Sequence, residues 1–490
     1  METLVVVTQT ADWPLEIPGV RVVTGREYVS GAEFSGLKKA KVFNLCRQYR
    51  YQTVGYYVSL LAEARGHKPI PTAMTMQDLR SPALVRIASD ELEEPIRKGL
   101  AGLEGSRFVL DIYFGRDPLA VHDPLAAALF KLFPAPLLRA TFVRNGGWEL
   151  QNVAAVPTSA IPEAHRAAAF AAAQAFFARP PLRPTRPAQA RFDLAILYDP
   201  SDPLGPSDPK AIERFVDAAE SLGMAADVIG KDDFGSLLEY DGLFIRATTA
   251  VNHFTYRFSR RAAAEGLVVI DDPRSILRCT NKVYLAELLA RNGIPTPRTL
   301  IVHRDNASRL CDEIGCPCIL KKPDSSSSQG VVKADDRDAL ARHLGELFET
   351  SDLVIAQEFV PTPFDWRIGV LDRRPLHAAR YFMAPNHWQI IKRSPISGQL
   401  RFGTTDVVPV DEAPQEGVKL ALKAANLVGD GFYGVDLKQV GDHWVVIEVN
   451  DCPNVEFRIE DRVLKEEIYR RLMAVFLRRL EERTERPPGR

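Results

Sequence analysis

Cysteine is scarce in this chain of 490 residues, and the six it has, Cys46, Cys279, Cys311, Cys316, Cys318 and Cys452, are scattered. That excludes a disulfide framework and reads as reduced, packed thiols. Cys311, Cys316 and Cys318 cluster, but no second pair with ligand spacing and no nearby His-x-x-x-His follows, so zinc is not expected. Long hydrophobic runs are missing as well. No stretch reaches the roughly 18 uninterrupted apolar residues of a membrane span, and Gln174 interrupts the Ala-rich run at 167–177. The short apolar run at 4–7 follows acidic Glu2 with no basic stretch before it, so no secretory signal is expected and the chain reads as cytoplasmic. Neither sign of charge is in surplus: 62 basic side chains face 63 acidic ones, a formal net charge of -1. Bulk electrostatics therefore gives no reason to expect nucleic acid or membrane as a partner. A nucleophile elbow and a credible Cys–His pair are absent, which argues against covalent catalysis by a side chain. No repeat with a period of roughly 20 to 50 residues is present.

What is present is an ordinary globular composition, 46% hydrophobic and 26% charged, at a length that suits about three domains. Residues 1–178 mix strand signals at 4–7 and 108–114 with helical spacing at 54–64, stopped by Arg65-Gly66, and at 125–133, stopped by Pro134. Residues 179–190 are rich in proline, which removes backbone donors and fixes φ, and read as a linker. From 191 to 275, strands at 192–198, 243–245 and 267–270 alternate with helices at 210–222 and 253–264, the pattern of a parallel sheet with right-handed crossovers. Residues 276–480 form the next domain. It opens with a helix at 281–292, followed by strands at 317–321, 331–333 and 354–359 and a helix at 338–348. Further strands are read at 367–371, 376–382, 388–392, 434–439 and 444–449, then a helix near 465–480. Residues 481–490 make a polar tail.

The strongest chemical signal is Val445-Val-Ile-Glu-Val-Asn450, a buried strand interrupted by Glu448 and Asn450, which sit two apart and leave the same face. Gly434-Val-Asp-Leu437 is a second short strand, and a hairpin across 440–443 would set the two side by side. Asp436, Glu448 and Asn450 then converge. Three hard oxygen donors suit Mg²⁺, and carboxylates among Val and Ile neighbours are costly without a cation. A second signal is Lys321-Lys-Pro-Asp-Ser-Ser-Ser-Ser-Gln-Gly-Val331, two strands around a small-residue turn. Backbone N–H groups and serine hydroxyls there can approach an anion, and a lysine on the preceding strand adds a point charge for phosphate. Lys282 opens a helix, where a cation is tolerated more easily beside an anion. The apolar strand Val354-Ile-Ala-Gln-Glu-Phe-Val360 ends in groups suited to adenine and ribose. Arg246, Asn252 and His253 follow the end of a parallel strand, the position where open α/β sheets bind ligands, and are candidates for holding a substrate carboxylate.

Taken in order, Asn-Lys, Lys with a small-residue turn, Gln-Glu-Phe, Asp-x-Arg, Gly-Val-Asp-Leu and Ile-Glu-Val-Asn resemble the ATP-grasp superfamily, its RimK-like branch in particular, over residues 190–478. The resemblance implies an α/β architecture: a parallel-sheet pre-ATP-grasp unit and two α+β subdomains clamping ATP, with an additional N-terminal α/β domain. It implies that Lys282 and Lys321 contact the ATP phosphates and that Ser326, Ser327, Ser328, Gln329 and Gly330 close over them. Gln357, Glu358 and Phe359 would form the adenine hinge, with Asp365 near the ribose. Asp436, Glu448 and Asn450 would hold Mg²⁺ or Mn²⁺. Arg367 and Arg380 would face the reacting phosphoryl group or the substrate. The implied reaction joins a carboxylate, on a small molecule, peptide or protein terminus, to an amine such as that of an amino acid. A small-molecule kinase or a non-catalytic nucleotide-binding scaffold on the same fold is the alternative, and a homo-oligomer is compatible with all three.

Two departures stand out. The phosphate loop is serine-rich where the family is glycine-rich, and the lysine is doubled. Family spacing selects Lys321, with Lys322 its rival, and strand alternation admits only one. At the other end, residues 44–67 and 135–140 resemble the accessory domain that precedes some RimK-like modules. Arg47, Tyr49, Arg50 and Tyr51 form a basic and aromatic cluster there. It suits either an anionic substrate or partner, or packing within its own domain.

Overall fold

A computed structural model describes residues 2–37, 40–80, 85, 92–178, 190–324, 330–393 and 400–485. The chain divides into two compact units, Met1–Pro184 with Phe234–Glu239, and Thr185–Asp233 with Tyr240–Arg490. Residues 179–189, most of the expected linker, and 486–490 of the expected tail lie outside the described residues. Among the described residues no helix is long and apolar enough to cross a membrane.

The first unit opens with a parallel sheet, β1 (Glu2–Val7), β2 (Val20–Thr24), β3 (Ala40–Asn44) and β4 (Lys68–Ile70), in the order β2-β1-β3-β4. Leu4 to Val7 are all buried, as a strand covered on both faces requires. Helix Val54–Ala64 spans the residues its spacing predicts. Thr53 caps it by accepting from the Tyr56 N–H, and Gly66 (φ +72°) ends it. An antiparallel sheet follows, β5 (Arg107–Tyr113), β6 (Leu137–Asn145) and β7 (Gly147–Ala155), packed on helix Asp123–Leu132.

The second unit begins with another parallel sheet, β8 (Phe192–Tyr198), β9 (Met224–Ile229), β10 (Gly242–Arg246) and β11 (Val268–Ile270), in the order β11-β10-β8-β9. Helices Pro209–Ser221 and Glu466–Glu485 bury Phe215, Leu472 and Phe476 in its core. Strand β9 was not in the sequence reading, because alanines and Asp227 dilute its apolar character. A four-stranded antiparallel sheet comes next: β12 (Thr299–Val302), β13 (Cys318–Lys321), β14 (Val331–Ala334) and β15 (Val354–Glu358), ordered β12-β15-β13-β14 and covered by helix Arg337–Phe348.

The last sheet has five strands in the order β20-β17-β16-β21-β22, with β16 (Phe364–Leu371), β17 (Arg374–Phe382), β20 (Thr405–Val408), β21 (Phe432–Val440) and β22 (His443–Asp451). A side pair, β18 (Ile391–Arg393) with β19 (Leu400–Phe402), lies between β17 and β20 in sequence. The strand expected at 388–392 is mostly loop. Trp388 to Ile390 face a cavity instead of a ladder, and the loop is closed by the Ala384 N–H donating to the Gln389 carbonyl.

Candidate active site

The core behind the five-stranded sheet decides which side chains reach the cleft in front of it. Trp366, Ile368, Val370, Val435, Leu437, Val446 and Val449 are buried together with Val418 and Ala421 of helix Gln415–Val428. Alternation then sends Asp365, Arg367, Asp436 and Lys438 to the opposite face. Strand β22 needs a further device, since Val446 and Val449 both join the core although they are three apart. The register supplies it: Asp436 pairs with Glu448 but Leu437 pairs with Val446. This bulge turns Ile447 and Glu448 together toward the cleft.

The cleft encloses a cavity of about 680 Å³. Lys282, Lys321, Gln357, Glu358, Phe359, Asp365, Arg367, Asp436, Glu448 and Asn450 all line it. Lys282 Nζ meets Glu448 Oε1 at 2.9 Å, and its backbone N–H is tied to the Pro323 carbonyl at 2.8 Å. Arg367 grips Asp436 in a fork, Nε to Oδ1 at 2.6 Å and Nη2 to Oδ2 at 2.8 Å, and lies over the Tyr381 ring. Asn450 Nδ2 donates to Asp436 Oδ2 at 3.1 Å. Asp365 is paired with Lys438 Nζ at 2.5 Å and accepts from Thr362 Oγ1 at 3.2 Å. Lys321 Nζ donates to Gln357 Oε1 at 2.9 Å, and Gln357 in turn donates to Thr299 Oγ1. Phe359 carries Lys333 Nζ over its ring at 4.5 Å.

Burial lowers the pKa of Lys321, against the opposing pull of Glu448. Burial would raise Glu448, but Lys282 and Lys321 hold it below the usual carboxylate range. Asp365 is raised by burial despite Lys438. In Arg367 the charged form persists, because Asp436 outweighs the burial that disfavours it.

Of the two candidate lysines, Lys321 lines the cavity. Lys322 runs its stem against Gly330, whose added Cβ would meet the Lys322 Cδ at 3.1 Å. Gly330 itself adopts φ +67°, and its carbonyl accepts from the Lys322 N–H. Ser326, Ser327, Ser328 and Gln329 lie outside the described residues.

Four expectations are corrected. Arg380 is opposite Trp366 on the sheet, packs over Trp366 and Phe364, and pairs with Asp406. Its neighbours Ala379 and Tyr381 take the other face, so alternation carries Arg380 away from the cavity. Arg246 is 1% exposed, and its guanidinium is spent on Ser207 Oγ and the carbonyls of Pro206 and Pro453. A substrate carboxylate cannot reach it. Asn252 and His253 do not line the cavity, and His253 Nδ1 is bonded to Thr255 Oγ1 at 3.0 Å. The preceding residues Thr248, Thr249, Ala250 and Val251 line it in their place.

Sequence reasoning missed Lys438, Tyr381 and Glu460. Lys438 had a signal, lying two residues beyond Asp436 on one strand. Tyr381 follows from the same parity that removes Arg380. Glu460, which accepts from the Tyr381 hydroxyl, stands in a loop with no pattern to mark it.

Comparisons with known proteins relate the chain to one family. A model of the RimK-like ATPgrasp N-terminal domain matches residues 25–172, and one of the RimK-like ATP-grasp domain matches residues 279–380. Over 196 residues, 38% of this chain and 67% of the relative, the sequence is 33% identical to the alpha-aminoadipate–LysW ligase LysX of Saccharolobus solfataricus. Over 266 residues, 50% of this chain and 84% of the relative, it is 27% identical to a probable alpha-L-glutamate ligase 2 of Pseudoalteromonas atlantica. The chain spans 63% to 67% of the length of three LysX relatives. Among solved structures, a RimK domain ATP-grasp protein from Sphaerobacter thermophilus superposes with a TM-score of 0.44 at 17% identity, covering 58% of this chain and 98% of its own.

Proposed function

Because the chain belongs to the RimK-like ATP-grasp family, we propose that it is an ADP-forming ligase that activates a carboxylate with ATP and joins it to an amine. Residues 1–178 are read as the accessory domain, 179–190 as the linker, 191–275 as the pre-ATP-grasp unit and 276–480 as the ATP-grasp domain. The observation that carries the reading is the meeting of Lys282, Lys321, Arg367, Asp436, Glu448 and Asn450 on one cavity.

Gln357, Glu358 and Phe359 are read as the adenine edge, and Asp365 as the ribose side. Lys282 and Lys321 would bear the phosphates, covered by Ser326, Ser327, Ser328, Gln329 and Gly330. Among the described residues no group of three His, Cys, Asp or Glu could cage a metal. Asp436, Glu448 and Asn450 are two carboxylates and an amide, the donor set for one divalent ion whose shell is completed by phosphate oxygens and water. When bound, Mg²⁺ or Mn²⁺ neutralises polyphosphate charge.

In the first step a carboxylate oxygen attacks the γ-phosphorus of ATP and the bond to the bridging oxygen breaks, releasing ADP. The amine nitrogen then attacks the acyl carbon, phosphate leaves, and the nitrogen gives up a proton. Lys321 and Arg367 hold charge at the transferring group, so positioning and electrostatics suffice without a side-chain nucleophile. LysX and the glutamate ligases are named for amino acids, and LysX also for LysW. By that analogy the amine is an amino acid's, and the carboxylate is on a small molecule, peptide or protein terminus. Because the reaction consumes ATP, the chain is read as cytoplasmic.

The test is ADP release with pooled amino acids and peptides in the presence of hydroxylamine. A ligase yields a hydroxamate from the acyl phosphate. Phosphorylated product without hydroxamate would show a kinase, and nucleotide binding with no turnover across the panel would show a scaffold.

A further inference from the structure

The parallel module that opens the second unit has a twin in the first unit. The sheet orders correspond strand for strand, β2-β1-β3-β4 to β9-β8-β10-β11. Helix Val54–Ala64 answers to Phe254–Ala264, and β4 at Lys68–Ile70 answers to β11 at Val268–Ile270. Gly66 (φ +72°) answers to Gly266 (φ +74°). Ser59 Oγ donates to the Pro71 carbonyl at 2.7 Å, and Ser259 Oγ to the Asp271 carbonyl at 2.7 Å, so Pro71 and Asp271 hold the same place. On the neighbouring strand Phe43 pairs with Ile70 as Phe244 pairs with Ile270. Two residues further on, Leu45 therefore answers to Arg246.

At these two places the copies differ in kind. The first copy holds Leu45 and Pro71, apolar and neutral. The second holds Arg246 and Asp271, each 1% exposed. The twin shows that the module folds without either charge. Burying an ion is costly unless other groups compensate it. Arg246 offsets the charge of Asp271 in part, while Asp451 and Asp272 oppose it. A use for the two charges is to be sought in what they hold.

Both grip one short segment. The Cys452 N–H donates to Asp271 Oδ2 at 2.7 Å. Arg246 Nη2 donates to the Pro453 carbonyl at 2.8 Å, and Nη1 to Cys452 Sγ at 3.6 Å. Cys452 Sγ donates in turn to the Ile245 carbonyl at 3.1 Å. Cys452 has φ +48°, a left-handed conformation that a side chain adopts at a cost. The chain turns there directly after Asn450 and Asp451, which line the cavity. A strained turn keeps its shape only where its surroundings over-determine it, and here two buried charges do so.

We propose that Asp271 and Arg246 are positioning residues, a buried clasp that fixes the turn at Cys452 and Pro453 and so sets Asn450 and Asp451 on the cavity. The effect on turnover rests on the ligase reading; the clasp rests on the bonds to the turn and on the comparison of the two copies. The test is native-state alkylation of the full chain with iodoacetamide, read at each cysteine by peptide mass spectrometry. Cys452 is buried, as are Cys46 in the first unit and Cys318 on β13. In Asp271→Ala the alkylation rate of Cys452 is expected to rise at least about tenfold through local opening, with Cys46 and Cys318 unchanged. Arg246→Leu, which brings in the residue of the first copy, is expected to act in the same direction. Asp271→Asn keeps an oxygen that can accept from the Cys452 N–H and is expected to restore protection. ADP release with the amino-acid and peptide pool is expected to fall about tenfold or more in kcat in Asp271→Ala, the cost of a misplaced site, and to recover in Asp271→Asn. An unchanged Cys452 rate, an equal rise at Cys46 and Cys318, or the same behaviour in Asp271→Asn and Asp271→Ala would overturn the clasp. A looser Cys452 with unchanged kcat would overturn the positioning role. Selective loosening of Cys452 in a chain that shows no ADP release even as wild type would remove the ligase reading and leave the clasp standing.

Discussion

On the wall of the cavity built by β16, β21 and β22, Arg367 holds Asp436 and Lys438 holds Asp365, while Glu448 receives Lys282 from its helix. On the wall built by β13 and β15, Lys321 faces the amide of Gln357. The first wall carries its own counter-ions. Buried charges there are paired, which offsets their desolvation and fixes the side chains before any ligand arrives. On the second wall the hydrogen-bond partner of the buried cation is neutral, and burial lowers its pKa although Glu448 of the first wall pulls the other way. An incoming phosphate would complete that lysine. Phosphate affinity should therefore be concentrated on Lys321, with the paired wall supplying geometry.

The largest effect that breaks the contrast is Lys321→Met. Steady-state ADP release should show kcat/KM lower by about 10²- to 10³-fold, the size of losing one charge-stabilising donor. Lys322→Met and Arg380→Ala should each change it by less than about threefold. Equal losses at Lys321 and Lys322 would contradict the placement of the cavity-facing lysine.

A smaller effect tests the sheet face that carries Arg367, beside the paired wall. His377 is buried, neither ring nitrogen has a hydrogen-bond partner among the described residues, and the ring presses on Gly369, where a Cβ would sit 2.2 Å away. Burial, aided by Arg367, pushes its pKa down to about 4. The unfolded chain binds the proton first, from about pH 6.5 downward. Stability should therefore be full above that value and fall toward pH 4, by up to about 3 kcal/mol. Urea unfolding across this range should show that loss in the wild type and a reduced loss in His377→Phe. Identical acid limbs would contradict it.

The paired wall was the more legible of the two in the sequence. Asp436, Glu448 and Asn450 stand out because Val and Ile surround them, and their meeting follows from a two-residue turn between β21 and β22. The bulge at Ile447 was not legible, since only the core contacts of Val446 and Val449 demand it. Parity misled at Arg380. The arginine pattern was visible, but the residue paired across from Trp366 decides its face. Arg246 was placed at the correct strand end, yet its burial depends on Pro206 and Pro453, one of them far along the chain. The duplicated module was invisible because its period far exceeds the usual repeat lengths. Few identities survive between 51–70 and 251–270: Tyr56, Ser59, Ala62, Ala64, Gly66 and Ile70 recur as Tyr256, Ser259, Ala262, Ala264, Gly266 and Ile270.

The most direct measurement is the divalent-metal dependence of ADP release in Glu448→Gln. The substitution keeps the side chain's shape but removes the charge that meets Lys282 and the ion. The expected result is a fall in kcat of more than about 10²-fold, with saturation moved to higher Mg²⁺. Turnover and metal response equal to the wild type would contradict a metal and triphosphate held between β22 and Lys321.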